Sequence, residues 1–140
     1  MTQTPKRSWL KFGLREIVRG LLPLFPTSRE LAAERDMAGR PLVDDEKFYD
    51  AHYGNSGIPK AIPLRLRNLF VAQLGKPWDR VVPTDKPEDM YPDIPFEELA
   101  LEAAEEFGVQ VSTGETRELD GSFDSLVRLI AAKLATLQDK

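Results

Sequence analysis

At 140 residues, with 41% hydrophobic and 30% charged side chains and a net charge of −4, the chain has the size of one folded domain plus an extension. It has no cysteine and a single histidine, His52, which excludes disulfides, thiolate nucleophiles, cysteine-rich zinc centres and any multi-histidine metal site within one chain. The charge is polarised: residues 1–19 hold Lys6, Arg7, Lys11, Arg15 and Arg19 against Glu16, net +4, whereas residues 84–107 hold nine acids against Lys86, net −8.

Residues 7–22 show helical spacing, with Leu10, Leu14, Ile17, Val18 and Leu21 on one face and the basic residues mostly opposite. Pro23 and Pro26 end that pattern. Thr27-Ser28-Arg29-Glu30 has capping-box spacing, so a short helix is expected to about Ala38, closed by Gly39. Asp44-Asp45-Glu46 opens a third short helical candidate through Tyr53, and Gly54-Asn55-Ser56-Gly57 is a turn. Pro63 suits the first turn of a helix continued by Leu64, Leu66, Leu69, Phe70, Ala72 and Leu74 to Gly75. Gly75 to Pro92 is a proline-rich loop that Trp78, Val81 and Val82 would tether to the core.

Asp93 is the expected N-cap of the next helix, with Pro95 in its first turn, Phe107 at its end and Gly108 as the stop. Its apolar stripe is Phe96, Leu99, Ala100, Ala103 and Phe107, and Glu97, Glu98, Glu102, Glu105 and Glu106 are assigned to the outer face. Burying the two phenylalanines and the leucine would contribute about 1.5–3 kcal/mol each, and this packing must outweigh repulsion among the glutamates. Val109-Gln110-Val111 is too short to demand a sheet, and Ser112 to Asp120 is a loop with room for one helical turn. Ser122 caps a last helix through Leu137, with Phe123, Leu126, Val127, Ile130, Leu134 and Leu137 inward. The pattern is all-α: a basic helical extension over residues 1–58 and a helical bundle over 59–140.

This order, across residues 60–137, resembles the acyl carrier protein fold, a three- or four-helix bundle, and more closely a bacterial family of carrier-like proteins. The resemblance lies in Leu69-Phe70-Val71-Ala72-Gln73-Leu74-Gly75, in Glu88-Asp89-Met90, and in the stretch from Glu98-Leu99 to Glu105-Glu106-Phe107-Gly108-Val109. Carriers hold 4′-phosphopantetheine on the serine of an Asp-Ser-Leu motif at the start of their second helix. The matching residues here are Asp93-Ile94-Pro95, and Ile94 has no hydroxyl to esterify. The resemblance therefore implies a scaffold that recognises partners without ferrying an acyl group: no cofactor, no catalytic residue, and a basic protein partner docking on Glu97, Glu98, Glu102, Glu105 and Glu106. Asp124-Ser125-Leu126 spells the carrier motif literally, but only fifteen residues follow Ser125, too few for the two helices that follow it in a carrier. A genuine carrier modified at Ser125 or Ser122 is the alternative.

Other chemistry is weakly signalled. Asp85, Glu88, Asp89 and Asp93 lack the central glycine and closing glutamate of a calcium loop, so no metal site is expected. His52 could act as a general base oriented by Asp44, Asp45 or Asp50, as in a small hydrolase, but no nucleophile turn accompanies it, and a structural role is expected. Gly54, Gly57 and Lys60 lack the spacing of a phosphate loop. Lys6, Arg7, Lys11, Arg15 and Arg19 allow weak contact with an anionic membrane surface, about 1 kcal/mol per residue, and hence a peripheral adaptor; nucleic acid is not the expected partner. No run approaches the roughly 20 apolar residues of a membrane span, and charged residues interrupt the N-terminal apolar positions, so a cytoplasmic protein is expected.

Overall fold

Pro95 decides where the acidic helix begins. A residue that precedes proline is disfavoured in the α region, which sets Ile94 against a helical conformation and the helix against reaching back to Asp93. In the computed structural model, which describes residues 28–138, that helix starts at Phe96, with Pro95 at the N-cap position and no side-chain cap. The expected cap at Asp93 is thereby corrected: Asp93 is exposed in the turn before the helix, and Ile94 is buried.

The elements are α1 (Ser28–Ala38), α2 (Asp45–Tyr53), α3 (Ala61–Leu74), α4 (Phe96–Phe107), α5 (Thr113–Arg117) and α6 (Phe123–Gln138). Two 3-10 turns, Lys76–Arg80 and Pro87–Asp89, divide the long loop between α3 and α4. There is no strand among the described residues, so the architecture is all-α. The helix expected over 7–22, and Thr27 of the capping box ahead of α1, lie outside the described residues. Gly108 ends α4 in the left-handed conformation, φ 72°, which lets the Val109 amide donate back to the Ala104 carbonyl at 2.9 Å. The room for a turn after Ser112 is used by α5, closed by a capping box in which Ser112 and Glu115 exchange hydrogen bonds of 2.9 and 3.1 Å.

The core is centred on aromatic rings. Phe70 meets Trp78 at 5.5 Å between centroids and Phe123 edge-on at 5.3 Å, and Phe48 meets Phe123 edge-on at 6.2 Å. Met37, Phe48, Tyr53 and Ile58, from the stretch assigned to the extension, are buried in the same core as Leu66, Leu99, Leu126 and Ile130. Arg67 locks α2 onto α3. Its guanidinium lies over the Phe48 ring at 4.4 Å, pairs with Asp45 and donates to the Asp79 carbonyl at 3.3 Å.

The long loop serves as the cap of α6. The amides of Phe123 and Asp124 donate to the carbonyls of Asp85 and Pro83, both at 2.9 Å, which satisfies two of the N–H groups that a helix start leaves open. Ser122 takes a third, its hydroxyl accepting from the Ser125 amide at 3.1 Å. The loop is fixed in turn by the Asp85 carboxylate, which accepts from the Val82 amide at 2.8 Å and from both guanidinium nitrogens of Arg40 at 2.5 and 3.0 Å. That pairing raises the Arg40 pKa above its ordinary value. Trp78, in the first 3-10 turn of this loop, is fully buried.

Candidate functional site

Helix α4 alternates what it gives to the core with what it offers outward. Leu99, Ala100, Ala103 and Phe107 are buried as their spacing predicts, while Phe96 at the helix start is only half-buried. The five glutamates do not share one environment. Glu98 and Glu105 are exposed; Glu97 pairs with Arg117 of α5 at 3.5 Å; Glu106 pairs with Arg65 of α3 at 3.4 Å. Glu102 is buried, only 3% exposed. It sits one turn before Glu106, on the side turned to α3, so its expected place on the outer face is corrected.

Between Glu98 and Glu105 stands Leu101, 49% exposed. Spacings of three and four residues put Glu98, Leu101 and Glu105 in one row, an apolar side chain bracketed by two carboxylates. The apolar stripe read from the sequence passes over Leu101, because it falls between Leu99 and Ala103 in sequence but on the opposite side of the helix. Its signal was available: a leucine off the core phase of an otherwise regular stripe.

A cavity of about 340 Å³ is lined by Arg65, Asn68, Leu69, Ala72 and Gln73 of α3 and by Glu106 of α4. Arg65 forms one wall: its guanidinium lies 4.4 Å from the Phe107 ring centroid and donates to the Glu106 carbonyl at 2.9 Å. Gln73 is 1% exposed, and neither its amide nitrogen nor its oxygen has a hydrogen-bond partner among the described residues. Leaving such a group unbonded costs about 1–3 kcal/mol, so Gln73 is poorly explained as a packing residue. In the sequence it reads as one more residue of the α3 pattern, since nothing local distinguishes a buried glutamine from a solvated one.

The remaining candidates are absorbed by the fold. Ser125 is half-buried and its hydroxyl donates to the Ser122 carbonyl at 2.7 Å; Ser122 is itself buried as the cap. Asp124, first residue of the literal carrier motif, accepts from the Tyr53 hydroxyl at 2.8 Å and from Arg128 at 2.9 Å. Burial and the Asp124 carboxylate raise the Tyr53 pKa. His52 is half-buried with its ring edge-on to Phe48 at 5.1 Å, and burial lowers its pKa. Of the acids expected beside it, Asp44 caps α2 by accepting from the Lys47 amide at 2.8 Å, and Asp45 pairs with Arg67. Lys60 pairs with Glu46 and lies over the Tyr49 ring at 5.7 Å, so it does not face a phosphate loop.

No cluster of three or more potential metal ligands occurs among the described residues; Asp85, from the acidic run, is held by Arg40 and Asp89 by Arg29. None of the described helices is long and apolar enough to cross a membrane. The basic residues Lys6, Arg7, Lys11, Arg15 and Arg19 lie outside the described residues.

Comparison with known proteins adds no relative: no protein-family model, no curated protein and no solved structure matches this chain.

Proposed function

We propose that this protein is a non-enzymatic, carrier-like docking domain whose α4 receives a basic, amphipathic segment of a protein partner. The observation that carries the reading is the row Glu98, Leu101, Glu105, in which an exposed leucine is flanked by exposed carboxylates on a helix otherwise well buried. An apolar centre with a charged rim has the anatomy of a protein-recognition patch. The acids would speed encounter with a cationic surface, and the leucine would supply the short-range contact. The order of elements is in keeping with a carrier-like scaffold: a long helix, a structured loop, an acidic helix, a short helix and a closing helix. At the carrier's attachment point this chain has Ile94, turned into the core, and the hydroxyls of Ser122 and Ser125 are engaged in capping α6.

Titration with a synthetic cationic amphipathic peptide, at low and high salt, tests this reading. The wild-type chain is expected to bind, and Leu101→Asp to weaken binding at least tenfold. Glu98→Lys with Glu105→Lys is expected to remove the salt dependence as well. If Leu101→Asp binds like the wild type while only charge reversal matters, the patch is a diffuse acidic surface and the proposal fails.

A further inference from the structure

The row on α4 is bordered by charges of the opposite sign. Each residue of a helix is turned by about 100° from the one before, which places Glu97 and Glu106 on opposite sides of Glu98, Leu101 and Glu105. Their partners differ accordingly: Arg117 of α5 pairs with Glu97 at 3.5 Å, and Arg65 of α3 with Glu106 at 3.4 Å. Both guanidiniums stay accessible, the Arg117 side chain being 73% exposed and that of Arg65 49%. Across the helix, an acidic centre around a leucine thus gives way to an arginine at each margin. Along the helix, Glu98 and Glu105 stand seven residues apart, two turns or about 10.5 Å, with Leu101 between them.

A partner that excludes water from Leu101 must keep its own backbone groups bonded. Among the described residues there is no strand to extend, so a segment in extended form finds no ladder here, whereas a helix meets the demand internally. Two helices packed at a small crossing angle, about 20°, keep a seven-residue repeat in step over two turns. Facing Glu98 and Glu105 then calls for Lys or Arg at positions i and i+7, and facing Leu101 calls for apolar residues at i+3 and i+4. The margins add a condition. Positions i+1 and i+6 of such a helix turn to its two sides, where acids would pair with Arg117 and Arg65 and further cations would be repelled by them.

We propose that the segment received by α4 is an amphipathic helix with a narrow basic ridge, its cations seven residues apart around an apolar centre and its flanks acidic, and that Arg65 and Arg117 select it against uniformly cationic segments. This rests on the docking function proposed above and adds the partner's secondary structure and charge order, so it can fail while that function stands.

Synthetic helical peptides of one length, stapled on the face away from the domain, are titrated against the full chain at one moderate salt concentration. The first carries Lys at i and i+7, Leu at i+3 and i+4, and Glu at i+1 and i+6; the second has Lys at i+1 and i+6 as well. The first is expected to bind about tenfold more tightly in spite of its lower positive charge. In Arg117→Glu, where an exposed cation becomes an anion, that advantage is expected to disappear. A linear copy of the first peptide with proline at i+5 is expected to bind about tenfold more weakly than its linear parent. Equal or tighter binding of the second peptide by the wild type, a preference unchanged in Arg117→Glu, or full affinity of the proline copy would overturn the proposal. If binding in those cases still depends on Leu101, the docking function survives without it. Binding of none of the peptides, or binding that Leu101→Asp does not weaken, would remove both.

Discussion

The two sides of α3 are built on different principles. Towards α6 its residues enter a dense aromatic cluster, Phe70 against Trp78 and Phe123, with the loop above fixed by Arg40, Asp85 and the α6 cap. Towards α4 the same helix borders a cavity and holds a buried amide that the described residues do not satisfy. The first arrangement is held by ring packing and by hydrogen bonds among the described residues. One unmet polar group also lies on the aromatic side, the Trp78 indole N–H, within the packed cluster.

The widest separation between the two sides is expected from truncating one residue on each. Trp78→Ala empties the aromatic side of a fully buried indole and is expected to lower stability by about 3–5 kcal/mol, enough to unfold much of a marginally stable domain. Leu101→Asp, on the open side, is expected to stay within about 0.5 kcal/mol of wild type while abolishing peptide binding. Urea unfolding followed by tryptophan fluorescence for Leu101→Asp, and by circular dichroism for Trp78→Ala, measures both. A large loss of stability in Leu101→Asp would show that the row is structural.

The next effect concerns the loop. Asp85→Ala removes both Arg40 hydrogen bonds and leaves the Val82 amide without its acceptor. A loss of about 1–3 kcal/mol is expected, with faster amide exchange at Phe123 and Asp124, whose acceptors lie in that loop. Unchanged exchange at those two amides would mean that the loop holds the cap without the ion pair.

A smaller effect separates the sides by pH. Burial against Phe48 lowers the His52 pKa, so between that lowered value and about 6.5 the unfolded chain takes up a proton that the folded chain resists. Stability therefore falls as pH drops through this window and levels off below it. His52→Gln is expected to flatten the fall in Tm between about pH 7 and pH 5.5. An identical pH profile in the variant would assign the fall to carboxylates elsewhere.

The sequence carried most of the architecture because its signals were local and mutually consistent. The apolar phase of α6 and Gly108 after α4 each state a boundary in a few residues, whereas the Ser112–Glu115 capping box was read only as part of a loop. The start of α4 was misread because Asp93 resembles a cap in isolation, whereas the constraint that Pro95 places on Ile94 acts one residue back. The candidate site was half legible. Acidity along α4 is a matter of composition, but the burial of Glu102, the exposure of Leu101 and the isolation of Gln73 depend on how α3 and α4 pack. No periodicity within one helix encodes that.

The least change is expected where the literal Asp-Ser-Leu motif suggests the greatest. Attachment of phosphopantetheine needs a hydroxyl free to attack the pyrophosphate of coenzyme A, within a segment that the transferase can engage. The Ser125 hydroxyl instead donates to the Ser122 carbonyl, and Asp124 beside it is bound to Tyr53 and Arg128. Freeing Ser125 would disturb the first turn of α6, together with the loop carbonyls that cap it. Intact mass after incubation with coenzyme A and a broad-specificity phosphopantetheinyl transferase is therefore expected to be unchanged. Ser125→Ala is expected to cost about 0.5–1.5 kcal/mol, for the lost hydrogen bond alone. A mass gain of one prosthetic arm that disappears in Ser125→Ala would show that α6 opens at its start. The packed side, not the acidic row, would then be where this domain does its chemistry.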